Sequence, residues 1–137
     1  MCEVPHVHDW YATNATFDGR RLKLLLQWVE YSKERRDFQV TEVRAICFLD
    51  VDDIDALPTQ DSEPNVRPGF WGRLLGRLGR HYDLRKVKTV RQLVSQINSR
   101  GPDDWGEPLA AIDAVAHGFI LLTHVSGEYY ISARAVE

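Results

Sequence analysis

Residues 89–134 constrain the fold most, because they carry the clearest local signals in the chain. Thr89 and Gln92 have the spacing of a capping box, in which each side chain bonds the other residue's backbone N–H. The apolar residues that follow repeat at the helical period: Val90, Leu93, Val94 and Ile97. The sequence therefore predicts a helix over residues 89–100, ended by Gly101 and Pro102.

A second helix and a β-hairpin are predicted after this first helix. Leu109, Ile112, Val115 and Ala116 fit the buried face of a helix over residues 105–117. Residues 119–125 and 128–134 are two β-rich runs joined by Ser126-Gly127, which suits a tight antiparallel turn. We expect one core to contain Leu93, Ile97, Leu109, Ile112 and Phe119.

This order of elements resembles a known family. The run LAAIDAVAHGFILLTHVSGEYYISA is similar to the third helix and wing of winged helix-turn-helix domains, and KTVRQLVSQI is similar to their second helix. The resemblance covers the C-terminal half of the chain. It implies a compact three-helix module with a hairpin, used for contacts with nucleic acid or with protein, and its first helix is expected over residues 68–84.

The N-terminal third is expected to form a small helical lobe. Asp18 is a suitable N-cap, and Leu22, Leu25, Leu26 and Val29 form an apolar stripe that predicts a helix to about residue 36. Residues 40–57 fit either a helix, with Thr41 as its cap, or a buried strand, and the helix is favoured. The predicted fold class is thus α+β and mainly helical. Residues 1–57 form the arm and lobe, 58–68 a linker and 69–137 the winged-helix-like module.

Charge is distributed very unevenly in this chain of net charge −3. Residues 48–66 carry six acids and no base, and residues 101–137 carry six acids and one base. Residues 67–100 carry nine bases against one acid, a net charge of +8. The side chains predicted to contact a partner come from this basic segment: Arg73, Arg77, Arg80, Arg85, Lys86, Lys88 and Arg91.

Two partners fit a basic face, an acidic protein surface or the backbone of a nucleic acid. The expected recognition helix, residues 105–117, has no Arg or Lys, and its Glu107 and Asp113 would face phosphates unfavourably. We therefore expect a small protein-interaction module of the adaptor, inhibitor or antidefence type, with nucleic-acid binding as the alternative. A homodimer is a further possibility, and the basic face could instead pair with the chain's own acidic segments.

No enzymatic activity is expected. The run AICFLDVDD resembles the first motif of haloacid-dehalogenase-type phosphatases, which would make Asp50 the nucleophile and Asp52 the acid/base. The chain departs from that motif at Ile54, where the family has Thr. Asp103 and Asp104, which could stand for the family's later metal-binding acids, follow a helix pattern where a strand is expected.

No cofactor or metal is predicted either. His6, His8 and Asp9 could form part of a metal site, because alternate residues of a strand share a face. The spacing of residues along the chain, however, places no further ligand that would complete the site.

A cytoplasmic protein without a membrane segment is the simplest expectation. The two cysteines, Cys2 and Cys47, are too few for a disulfide framework. No apolar run approaches the roughly 20 residues that span a bilayer. The first ten residues also lack the basic and apolar regions of a secretory signal.

Overall fold

The computed structural model describes residues 4–57, 86–101, 104–115 and 117–137. This part of the chain contains seven strands and one helix: β1 Tyr11–Phe17, β2 Leu22–Ser32, β3 Asp37–Leu49, α1 Val90–Asn98, β4 Glu107–Val115, β5 Gly118–Thr123, β6 Glu128–Ile131 and β7 Ala135–Val136. No helix within it has the length and apolar character needed to cross a membrane.

The strands form one antiparallel sheet in the order β6-β5-β4-β1-β2-β3-β7. Its two halves meet where β1 pairs with β4, through Tyr11 with Pro108 and Ala12 with Glu107. The edge strands β6 and β7 are separated in the chain only by residues 132–134. Four Cα steps span at most about 14 Å. The two edges of the sheet are therefore close, and the sheet curls around its inner face.

The inner face of the sheet forms the main core. In β2, Leu22, Leu24 and Leu26 are fully buried, and in β3 the paired residues Ile46 and Phe48 are as well. The five residues expected in one core, from Leu93 to Phe119, all belong to this cluster, so that prediction is confirmed. A smaller cluster lies on the other side of β5 and contains Val87, Ala110, Ile120, Leu122 and Tyr130.

Helix α1 is held against β1 by the Asn98 side chain, which forms the two hydrogen bonds that a neighbouring strand would form. The Asn98 amide donates to Ala15 O at 2.8 Å, and its oxygen accepts from Ala15 N–H at 2.9 Å. Ala15 is 2% exposed, so its two polar groups have little access to water. The amide of Asn98 thus fixes the end of the helix relative to the sheet.

Two predictions based on local signals are confirmed. Thr89 caps α1 in a complete capping box with Gln92, and the helix occupies nine of the twelve predicted residues. The predicted hairpin is present as β5 and β6, paired antiparallel around Ser126 and Gly127.

The winged helix-turn-helix resemblance and the mainly helical fold class are wrong. The region predicted as a recognition helix is β4, the predicted N-terminal helix is β2, and the favoured helix over residues 40–57 gives way to β3. A winged helix needs several helices, and the described residues contain one.

β-Bulges explain part of the incorrect helix prediction for β4. The register of β4 shifts between Leu109 and Ala111, so that Leu109 and Ile112 both face the main core although they are three residues apart. A bulge in a strand therefore reproduces the spacing of a helix. The predicted helix at 68–84 and linker at 58–68 lie outside the described residues, and the predicted division into domains stays a prediction.

Candidate functional site

Four of the seven large apolar side chains that are exposed among the described residues lie on the outer face of the β2–β3 hairpin. Strand pairing places Leu25 beside Ala45, Val29 beside Val40 and Tyr31 beside Phe38. These side chains point away from the main core, since their neighbours Leu24 and Leu26 point into it. Four large apolar side chains of this face are exposed by 41–67%: Tyr31, Phe38, Val40 and Val43. We call this surface, with Leu25, Val29 and Ala45, the apolar face.

A bulge gathers these residues on one side of the sheet. Trp28 pairs with Glu42 and Val29 pairs with Val40, so Thr41 is the extra residue in β3. The bulge reverses the alternation at Thr41 and turns Val40 and Val43 to the same face. At the far end of the hairpin, the rings of Tyr31 and Phe38 meet edge to face with centroids 5.3 Å apart. The apolar face thus extends along the hairpin, with Gln27 as the one polar residue between Leu25 and Val29 on this side of β2.

The hairpin also projects beyond the strands beside it. β1 pairs with β2 only from Leu22 to Gln27. Among the described residues, β7 and Glu137 bond β3 only from Cys47 to Leu49. Residues 22–43 carry four bases and four acids, so the hairpin has no net charge there. Its composition favours contact with an apolar surface over attraction to a strongly charged one.

The basic residues predicted to contact a partner fall into two groups. Arg73, Arg77, Arg80 and Arg85 lie outside the described residues. Of the others, Lys86 is exposed, whereas Lys88 donates to Ser126 O and lies 5.7 Å from the Tyr129 ring centre. Arg91 forms a two-point ion pair with Asp55, through bonds of 2.8 and 3.1 Å. Lys88 and Arg91 thus already have partners within the chain.

A buried polar cluster surrounds Glu107 at the start of β4. Its carboxylate accepts hydrogen bonds from Arg100 and Ser126, and a longer one of 3.4 Å from Gln96. Burial alone would raise the pKa of Glu107, but the bonds from Ser126 and Arg100 outweigh it and hold the pKa below its ordinary value. Tyr129 also donates to Ser126 Oγ, at 2.8 Å. This cluster joins α1, β4 and the β5–β6 turn.

Asp50 and Asp52 line a groove of about 810 Å³ together with His117, Ser132 and Arg134. Asp50 follows β3 with a φ of 56°, and its carboxylate is bound by Arg134 at 2.5 Å and Arg20 at 3.3 Å. The Arg134 hydrogen bond is the main cause of a lowered pKa at Asp50.

The arrangement around Asp50 differs from what the phosphatase resemblance implies. The strand before Asp50 is antiparallel to both of its neighbours. Asp104 forms an ion pair with Arg100, away from Asp50. Asp103 lies outside the described residues. The Asp50 carboxylate thus has two arginine partners, Arg20 and Arg134.

Three side chains with metal-binding atoms converge at one end of β4. His8, Asp9 and His124 bring one ligand atom each within 4.8 Å of the others. His8 and Asp9 are among the candidate ligands predicted from the sequence, whereas His124, which is 115 residues from Asp9, is not. His6, the third residue of the sequence-based group, is not in this cluster, although its ring centre is 6.4 Å from that of His8. No local spacing pattern could have identified His124.

Comparison of the chain with protein-family models, with curated proteins and with solved structures gives no significant match.

Proposed function

We propose that the protein is a small protein-interaction module whose contact surface is the apolar face, and that a second copy of the chain occupies it. The observation that carries this proposal is the exposure of Tyr31, Phe38, Val40 and Val43 on one side of the sheet. Clustered apolar side chains of this size mark interaction sites on soluble proteins. Burying them removes apolar area from water, which drives association.

Charge and symmetry favour a second copy as the occupant. Residues 22–43 carry equal numbers of acids and bases, so two such hairpins approach without net repulsion. A face that packs on itself forms a closed two-fold dimer, the commonest symmetry of soluble oligomers. The aromatic pair of Tyr31 and Phe38 supplies the kind of side chain that dominates interface energy.

Sedimentation of the purified protein over a concentration series tests this proposal. The unmodified chain is expected to form a dimer that dissociates on dilution. Val43→Lys places a charge in the apolar face without touching the core, and it should leave a monomer. Val125→Lys is the matched control, because Val125 is 73% exposed but lies in the β5–β6 turn, and it should leave the dimer intact. A monomer at every concentration of the unmodified chain would overturn the proposal.

The basic segment supports a second proposal, contact with an acidic protein surface or, alternatively, with a nucleic-acid backbone. Its support is the net charge of +8 over residues 67–100 in a chain whose net charge is −3. If the partner is duplex DNA and about four phosphates are neutralised, log K should fall with log salt at a slope of roughly −3.6. Changing Arg73, Arg77 and Arg80 to Glu should abolish that binding. An unchanged affinity would exclude this segment as the contact.

A further inference from the structure

We propose that His8, Asp9 and His124 form a binding site for a divalent metal ion of the zinc class. This inference is independent of the interaction proposal, because none of the three residues belongs to the apolar face. Two imidazoles and one carboxylate are the ligand types that zinc takes in proteins. Three protein ligands leave a position for water or another small ligand.

The three ligand atoms lie within 4.8 Å of one another, and each histidine approaches one oxygen of the Asp9 carboxylate more closely. His8 Nε2 lies 3.3 Å from Asp9 Oδ2, and His124 Nε2 lies 3.2 Å from Asp9 Oδ1. A tetrahedral ion bonded to N and O at about 2.0–2.1 Å separates its ligands by roughly 3.3 Å. The rings of His8 and His124 are 5.7 Å apart between centres and steeply inclined, at 69°.

Three successive residues of β4 hold the ligands in place. His124 N–H donates to Pro108 O at 2.9 Å, and Asp9 N–H donates to Leu109 O at 2.9 Å. The His8 ring bonds Ala110 O through Nδ1 at 3.2 Å. Residues far apart in the chain are therefore fixed to the same short piece of strand. A preformed frame of this kind lowers the entropy that is lost when an ion binds.

The bond to Ala110 also selects the histidine atom that faces the cluster. A carbonyl only accepts hydrogen bonds, so Nδ1 of His8 donates to Ala110 O, and Nε2 is the ring nitrogen that lies beside Asp9. Metal-binding histidines are commonly oriented in this way by a carbonyl behind the ring. His8 thus presents Nε2, the metal-binding atom on the outer side of the ring, to the cluster.

The turn that carries His8 and Asp9 is anchored on both sides. Val7 and Trp10 are 1% and 8% exposed, and Trp10 N–H donates to Val7 O at 3.0 Å across the turn. Asp9 has a φ of 67°, a conformation that Asp and Asn tolerate better than most residues. The buried flanks hold the turn, and the two ligand side chains extend from its exposed corner.

Titration with Zn²⁺ followed by calorimetry tests the site on the full chain. One ion should bind per chain, and Mg²⁺, which prefers an all-oxygen shell, should bind far more weakly. His124→Ala and Asp9→Asn should each lower zinc affinity at least about tenfold, since altering even a supporting residue commonly costs that much. Asn also tolerates the positive φ at position 9, so this variant preserves the turn.

His117→Ala is the matched control, because His117 is exposed and outside the cluster. Its zinc affinity should equal that of the unmodified chain. Substitution with Co²⁺ provides a second readout, since its visible absorption reports the coordination geometry. Equal zinc affinity in His124→Ala and the unmodified chain would show that the ion binds elsewhere and would overturn the proposal. No measurable zinc binding by the unmodified chain would overturn it as well.

Discussion

At the scale of single residues, Glu107 depends most on its hydrogen-bond partners among the residues that the structure describes. It is the one charged side chain there that is fully buried. A buried carboxylate is costly to desolvate, and it remains charged only when its partners compensate. Arg100 follows α1 and Ser126 lies in the β5–β6 turn, so satisfying Glu107 brings three elements into one arrangement.

We predict that Glu107→Gln destabilises the protein by about 3 kcal/mol, the lower end of what breaking a buried ion pair costs. The lower end applies because Arg100 keeps its second partner, Asp104. Urea unfolding at neutral pH measures the change. Glu42→Gln, an exposed change on β3, is the control and should stay within about 0.5 kcal/mol of the unmodified chain. Equal stabilities of the two variants would contradict this prediction.

The acid sensitivity of folding should also depend on Glu107. Its pKa is lowered in the folded protein, so its contribution to stability is fully present above the unfolded value near 4.5. The contribution is lost as the pH falls through the lower folded value. Asp18, Asp50, Asp55 and Asp104 also have lowered pKa values and act in the same direction.

In Glu107→Gln, stability should therefore fall less steeply than in the unmodified chain when the pH drops below about 4.5. Urea midpoints measured over a pH series provide the comparison. Parallel curves for the two proteins would contradict the assignment of this acid sensitivity to Glu107.

At the scale of elements, the sequence correctly predicted the features whose signals lie within a few neighbouring residues. The capping box of Thr89 and Gln92 and the Ser126-Gly127 turn are complete within a few positions, and both are present. The sequence of β2 predicts a helix because the strand is apolar on both faces. Leu22, Leu24 and Leu26 face the core while Leu25 and Val29 face outward. This pattern hides the alternation of a strand and matches the period of a helix.

Because β2 is apolar on both faces, the sequence also did not predict the apolar face as an exposed surface. The apolar face exists because Leu25, Val29 and Val43 lie on the outside of the sheet, and a helical interpretation assigns them to a core. His124 was missed for a different reason, since only the tertiary fold brings it to Asp9. Sequence patterns thus identified α1, the hairpin and one set of core residues. The sheet order and both candidate sites depend on contacts between distant residues.

We predict that Asn98→Ala costs about 1–3 kcal/mol, because it leaves the buried N–H and C=O of Ala15 without the partners that Asn98 provides. Unfolding in urea measures this loss. Ser95→Ala is the control on the same helix, since the Ser95 side chain is exposed, and it should be nearly neutral. A loss below about 0.5 kcal/mol for Asn98→Ala would mean that water replaces the amide without cost.

At the scale of the whole molecule, two of the backbone links among the described residues join the halves of the sheet directly. One is residues 132–134, which carry the chain from the β6 edge to the β7 edge. The other is the short β1–β4 junction, where the backbone approach is very close at Gly106. A Cβ atom at Gly106 would lie 2.6 Å from Ala12 O, and the φ of Gly106 is 118°. Only a glycine meets both demands at this junction.

We therefore predict that Gly106→Ala destabilises the protein by about 2–6 kcal/mol, as the sum of backbone strain and a clash with Ala12 O. Gly19→Ala isolates the first contribution, because Gly19 has a φ of 98° and nothing within 4 Å of an added Cβ. That control should cost about 1–3 kcal/mol. Urea unfolding followed by tryptophan fluorescence and by circular dichroism measures both variants. If the junction couples the two halves, the unfolding transitions measured by fluorescence and by circular dichroism should coincide in the unmodified chain. They should separate in Gly106→Ala. Equal costs for the two variants would show that the β1–β4 junction relaxes to accept a methyl group and does not couple the halves.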